Sequence, residues 1–202
     1  MNPNWKTPIM KMNYSSLART ASWLLLAALL GTSAHAQQKL LQPQSDISFV
    51  TKQMGVPLEG RFKKFDAQIA FDPAKPETGN IAFTIDIASA TLGAPETDAE
   101  LPKATWFNTI KFPQATFQST GIKSLGGGKF EVAGKLAIKG NVRDAIVPVS
   151  LAQSGGTTTA NGVFTIKRLA FKIGENEWAD TSMVADDVQI KFKLALAGVA
   201  KI

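Results

Sequence analysis

Cysteine is absent from the whole 202-residue chain, and histidine and tyrosine occur once each, at His35 and Tyr14. Acid is missing from one stretch altogether: the first 36 residues contain no Asp or Glu, while Lys6, Lys11 and Arg19 make them positive. A mostly apolar run, Ala21 to Leu30, follows these charges, and Ala34-His35-Ala36 has the small-x-small form of a signal peptidase site. This is the pattern of a secretory leader, residues 1–36, with cleavage expected after Ala36. The run is half the roughly 20 apolar residues that a bilayer span requires, so a membrane anchor is not expected. The leader is long, and a start at Met10 or Met12 would give it a more usual length.

Cleavage would leave residues 37–202 as one domain, without His, Cys or Tyr but with all twelve Phe. Such a chain has no parts for a Ser-His-Asp or Cys-His nucleophile or for a His/Cys metal centre. Without disulfides, an exported chain must be held by its core. Removing two Lys and one Arg lowers the net charge from +6 to +3. The remaining Lys and Arg are dispersed between apolar residues, which gives nucleic acid no basic cluster with stacking aromatics.

Carboxylates are the remaining chemistry. Asp186 and Asp187 are neighbours, so on a strand they point to opposite faces and cannot act as a pair. Glu175, Glu177 and Asp180 surround Trp178 without the spacing of a calcium loop. Gly126-Gly127-Gly128 precedes no helix and reads as a hairpin turn rather than a phosphate loop. No catalytic residue, cofactor or metal is expected.

What is present is alternation of period two. Ile47, Phe49 and Thr51 share one parity; Phe65, Ala67, Ile69 and Phe71 share another after a slip across Lys63-Lys64, which predicts a bulge. Ile81 to Ile87, Ala115 to Ser119, Phe130 to Ile138, Ala145 to Leu151 and Val188 to Leu196 alternate in the same way. Pro148 suggests an edge or bulge. Between Phe164-Thr165-Ile166 and Leu169-Ala170-Phe171 the parity slips once more, and a second bulge is expected there. Gln153 to Thr158 reads as a loop. The pattern predicts an all-β fold of eight antiparallel strands, closed as a barrel, with a sandwich as the competing closure. A membrane barrel would carry aromatic girdles, and residues 37–202 have no Tyr and only two Trp, so the Phe-rich parity is expected to face inward.

One stretch breaks the alternation. Glu96 to Asn108 is the expected helical segment, interrupted by Pro102. Trp106 and Phe107 follow side by side, each losing roughly 1.5–3 kcal/mol if left in water. They are expected to form a lid over the barrel mouth.

Taken in order, Gly60-Arg61-Phe62 to Phe71-Asp72, Leu101-Pro102 with Trp106-Phe107, Phe112-Pro113-Gln114-Ala115-Thr116-Phe117-Gln118-Ser119, Gly134 to Gly140 and Phe164 to Phe171 resemble the YceI-like family of bacterial periplasmic proteins. The resemblance covers the mature chain and implies a lipocalin-like eight-stranded barrel. It also implies a polyisoprenoid or other long-chain lipid, such as a fatty amide, held in a tunnel, and a periplasmic location. Alternation alone leaves open whether the inward residues fill a core or line a cavity. With the resemblance they become an expected apolar lining: Phe49, Phe71, Phe83, Ile85, Trp106, Phe107, Phe117, Phe130, Leu136, Phe164 and Phe192. Gln53, Arg61 and Arg168, with Lys63, are the polar residues expected at the mouth. Many relatives carry a histidine near the first strand where this chain reads Lys52-Gln53-Met54, which leaves the head-group preference open. A homodimer is compatible with this reading.

Overall fold

The computed structural model describes residues 38–202; the leader and its expected cleavage point lie outside them. Eleven strand segments follow one another: β1 (Lys39–Leu40), β2 (Asp46–Gln53), β3 (Val56–Phe62), β4 (Phe65–Ala70), β5 (Asn80–Asp86), β6 (Ala90–Thr91), β7 (Gln114–Gly126), β8 (Lys129–Ile138), β9 (Asn141–Ser154), β10 (Thr157–Lys167) and β11 (Asp187–Ala197). All pairings are antiparallel, in the order β4-β5-β7-β8-β9-β10-β11-β2-β3-β6, with β1 added to β11.

The two ends of that order are joined by the chain itself. β3 runs into β4 through Lys63-Lys64, and β5 runs into β6 through the 3-10 turn Ile87–Ser89. Each pair is one bent strand; the first halves and second halves pair with each other, Phe62 with Ala90 and Phe65 with Ile85. With the short β1 set apart on β11, the ten other segments thus make eight staves, and the sheet closes. The slip at Lys63-Lys64 lets both Phe62 and Phe65 point inward, where both are buried. Lys64 N–H takes Ser89 Oγ at 3.0 Å, and Lys64 C=O receives Asp86 N–H at 3.0 Å, so the bend costs no backbone hydrogen bond there.

The second slip has a different cause. β10 does not bulge after Ile166: it ends at Lys167 and a 3-10 turn, Arg168–Phe171, takes over, closed by Lys172 in the left-handed region at φ 57°. Gln153 to Thr158 is mostly strand rather than loop, because Gly155 and Gly156 make the whole turn at φ 57° and 81°. Pro148 lies where β9 bonds to β8 and its pairing with β10 has stopped at Ser150, so its missing N–H removes nothing from the ladder. The helical part of the lid is one turn, α1 (Pro95–Asp98), and residues 99–113 continue as linked turns. Helical matter is also more widespread than expected, in 3-10 turns at Gln42–Gln44, Pro76–Thr78 and Asn176–Ala179 besides the two already named.

Inside, three glycines set how the aromatics lie. Gly60, Gly134 and Gly162 face inward, and each lies beneath a Phe ring from the adjacent strand: Phe49, Phe117 and Phe192 respectively. A Cβ at any of the three would overlap that ring. Rings laid along the wall do not cross the lumen, and this is why a barrel so rich in Phe is not filled by it.

Candidate functional site

The lumen holds two cavities in series, of about 170 and 220 Å³. Ile85, Ala115, Leu136, Phe164 and Ile190 line both and form the waist between them. Each exceeds the roughly 150 Å³ at which an apolar cavity stays dry and takes up benzene.

The inner chamber is walled by apolar side chains and Thr116, with Phe71, Phe83, Phe117, Phe130, Phe164 and Phe192 among them. Phe71 and Phe130 meet edge to face at 5.2 Å. Phe83, Phe117, Phe164 and Phe192 remain only half-buried although they face inward, as expected of a wall beside open space. At this end Gln38 pairs with the Phe71 backbone, accepting its N–H at 2.9 Å and donating to its carbonyl at 2.5 Å. That clamp holds the start of the described chain across β4, while Val199 lines the chamber from the C-terminal side.

The lid chamber lies at the other end of the waist. Phe49, Gln53, Trp106, Phe107 and Arg168 reach it, so the lid and the strand ends do meet there. Trp106 packs on Trp178 with ring centroids 5.4 Å apart. Thr105 C=O accepts two N–H bonds, from Gly174 and Glu175, both at 2.9 Å, which ties the lid to the loop carrying Trp178. The start of the lid is tied to β6: Asp98 accepts from Thr91 Oγ1 and from Leu92 N–H, each at 2.5 Å. These two bonds hold the Asp98 carboxyl below its ordinary pKa, with a smaller pull from Lys63.

Arg168 differs from the mouth residue expected of it. It is 1 % exposed. Nε donates to Ala185 C=O at 3.0 Å, Nη1 to Ile173 and Gly174 at 2.9 and 3.1 Å, and Nη2 to Trp178 and Val184 at 2.7 and 2.6 Å. All five donors are spent on backbone carbonyls, so the guanidinium clips the loop 173–185 onto the barrel end and has none left for a ligand. Burial pushes its pKa down, with Asp186 opposing, yet arginine stays charged at any ordinary pH. The sequence signal was a cation at a strand end; nothing in it announced five carbonyls converging.

Arg61 is outside both chambers. On β3 the inward parity belongs to Gly60 and Phe62, which leaves Arg61 on the solvent face, exposed. Lys63 is likewise exposed at the bend. Among the carboxylates, Asp187 pairs with Lys167 at 2.7 Å and Asp186 accepts Leu169 N–H at 3.0 Å. Glu175 accepts from Lys139 Nζ at 2.8 Å. Lys139 is itself buried and also donates to Lys172 C=O at 2.6 Å, pinning the β8–β9 turn to the same loop.

Further lining residues were legible and unselected: Ile47, Val149 and Leu194 follow the inward parity. Others carried no periodic signal. Thr97, Glu100, Trp178 and Val184 reach the lid chamber from the segments between the strands, where side-chain direction is set by contacts distant in sequence.

The model of the YceI-like domain matches residues 39–196. Protein YceI of Escherichia coli O157:H7 is 30% identical over 147 residues, 71% of this chain and 75% of that protein. The crystal structure of Burkholderia cenocepacia BcnA is 50% identical with a TM-score of 0.75, covering 77% of this chain and 98% of the other. A polyisoprenoid binding domain from Saccharophagus degradans shares the fold at 16% identity, with a TM-score of 0.63 over 81% of this chain and 99% of that one.

Proposed function

The chain belongs to the YceI-like family, and from that premise we propose that it is an exported carrier that holds one long apolar lipid, a polyisoprenoid or similar chain, inside the barrel and performs no reaction on it. The observation that carries this reading is the pair of apolar chambers inside the barrel that share five wall residues. A lumen of that form suits something long and thin. The binding domain from Saccharophagus degradans, which is described by its affinity for polyisoprenoids, has the same fold and supports the choice of ligand class.

Energetics favour length as well. Burying one CH₂ is worth roughly 0.8 kcal/mol, and association costs on the order of 4–15 kcal/mol before any net affinity appears. About ten methylenes therefore only begin to offset that cost, and short chains should not be retained. The leader at residues 1–36 supports export to the periplasm.

Native mass spectrometry of protein taken from its own periplasm tests the reading. Bound lipid of long-chain mass is expected. Protein that is bare in every preparation, and that takes up no long-chain lipid after delipidation, would instead favour a filled, partner-binding barrel.

A further inference from the structure

The barrel wall is not laddered along its whole length between β9 and β10. The two strands pair from their turn as far as Ser150 and Asn161 and, among the described residues, no further. Beyond that point β9 runs on to Asn141 paired with β8, and β10 runs on to Lys167 paired with β11. Pro148 stands at the next position of β9 that faces β10, with no N–H to extend the ladder. The free edge of β9 covers residues 142–148, about 20 Å at roughly 3.3 Å per residue. At the lid end the seam closes again: Asn141 Nδ2 donates to Phe171 C=O at 3.1 Å, and Lys139 Nζ to Lys172 C=O at 2.6 Å.

This seam lies beside the lumen. Leu136 on β8 and Phe164 on β10 line both chambers, and β9 stands between these two strands. Along the seam the inward positions of β9 are Arg143, Ala145 and Val147, the register partners of Leu136, Gly134 and Val132. Val147 is buried and Ala145 is short, but Arg143 is exposed although its partner Leu136 lines both chambers. Ile138 and Asn141 flank a two-residue turn and form its hydrogen-bonded pair, so the Val142 carbonyl points away from β8 and toward β10. Arg143 Nη1 donates to that carbonyl at 2.9 Å, which sets the guanidinium on the free edge. An inward position that reaches solvent in this way marks a breach in the wall. Outside, Val142, Ile146 and Val163 flank the seam, and all three are exposed. A lipid chain arriving there meets apolar side chains before it has left the water.

The mouth beneath the lid is held more firmly. Thr105 is bonded to Gly174 and Glu175, Asp98 to Thr91 and Leu92, and Arg168 spends five donors on the loop 173–185. Lifting the lid breaks bonds of this set, whereas parting the edges of the seam breaks no bond of the β9–β10 ladder.

We propose that lipid enters and leaves the barrel sideways, through the seam between β9 and β10, while the lid stays closed. This inference rests on the carrier reading and adds to it the route of exchange.

The chain has no cysteine, so an introduced pair can be bridged without competition. Ile146→Cys on β9 and Thr165→Cys on β10 face outward on the two edges, opposite in parity to Val147 and Phe164. A bis-maleimide with a central disulfide ties the two thiols and can be cut by a reductant. Thr165→Cys with Gln189→Cys, register partners on β10 and β11, takes the same tether across a bonded ladder. The probe is retinol, a fluorescent isoprenoid, exchanged with phosphatidylcholine vesicles. The seam tether should slow uptake and release alike by about tenfold or more and leave the equilibrium affinity within about twofold, because a gate alters rates alone. Reduction should restore the rates, and the β10–β11 tether should leave them within about twofold.

Exchange at the untethered rate with the seam bridged, or equal slowing by the two tethers, would overturn the lateral route while leaving the carrier intact. Untethered protein that takes up neither retinol nor lipid extracted from its own cells would remove the carrier reading and this inference with it.

Discussion

Phe192 on β11 and Gly162 on β10 are register partners, and the tip of the Phe192 ring occupies the space over the glycine where any Cβ would stand. The same space is bounded by the Pro148 carbonyl of β9, which is backbone and cannot swing aside. The glycine is therefore what keeps the aromatic on the wall of the inner chamber and out of its lumen.

Gly162→Ala should displace the Phe192 ring into the chamber. Overpacking of this kind costs about 1–3 kcal/mol, read as a lower denaturation midpoint, and long-chain lipid affinity should fall with it. Gly121→Ala is the control, because nothing lies within 4 Å of a Cβ there and its φ is not in the left-handed region. Equal effects from the two substitutions would show that wall geometry does not govern the cavity.

The lid can be tested through Trp106→Ala combined with Phe107→Ala. Both residues line the lid chamber and pack against the main core cluster. Large-to-small aromatic changes cost about 3–5 kcal/mol each in a core, and lower values are expected here because both are only half-buried. Lipid retention should fall strongly in the folded fraction. A double variant that unfolds early yet holds lipid normally when folded would reject the lid.

Arg168→Met should destabilise the protein by roughly 3–5 kcal/mol, the usual loss when one side of a buried, hydrogen-bonded charge network is removed. Arg168→Lys should rescue little. Three ammonium donors cannot meet five carbonyls spread over residues 173–185. Urea unfolding checks both, and near-wild-type stability of the lysine variant would refute the clip.

Acid should loosen the lid end. The carboxyls of Asp98, bonded by Thr91 and Leu92, and of Glu175, bonded by Lys139, both have pKa values below their ordinary 3.8 and 4.5. A depressed carboxylate stabilises the folded state fully above its unfolded value, and the contribution is lost as pH falls through the folded one. Lipid retention should therefore be level at neutral pH and decline below about pH 4. Asp98→Asn keeps one acceptor and should flatten part of that decline, as measured by lipid release against pH.

Export is checked by N-terminal sequencing of the periplasmic form, with Gln37 expected first. A leader still attached would overturn the proposed location and restore His35 to the working protein.

The sequence by itself determined the class of fold and the inner face. Period-two alternation over Ile81 to Ile87, Phe130 to Ile138 and Val188 to Leu196 admits one side to the core, because a strand turns successive side chains to opposite faces whatever it pairs with. It also placed the interruption, with its helical segment at Glu96 to Asn108 and its two aromatics, since Pro and a broken period are local signals. Tertiary structure decided the rest. Parity sets Arg61 opposite Phe62, on the solvent face, and Arg168 on the side of Phe164 and Ile166; that Arg168 is fully buried with no donor to spare was decided by five convergent carbonyls. Alternation also could not distinguish a filled core from a tunnel. That depended on three glycines opposite three phenylalanines, a relation between strands that no single strand contains.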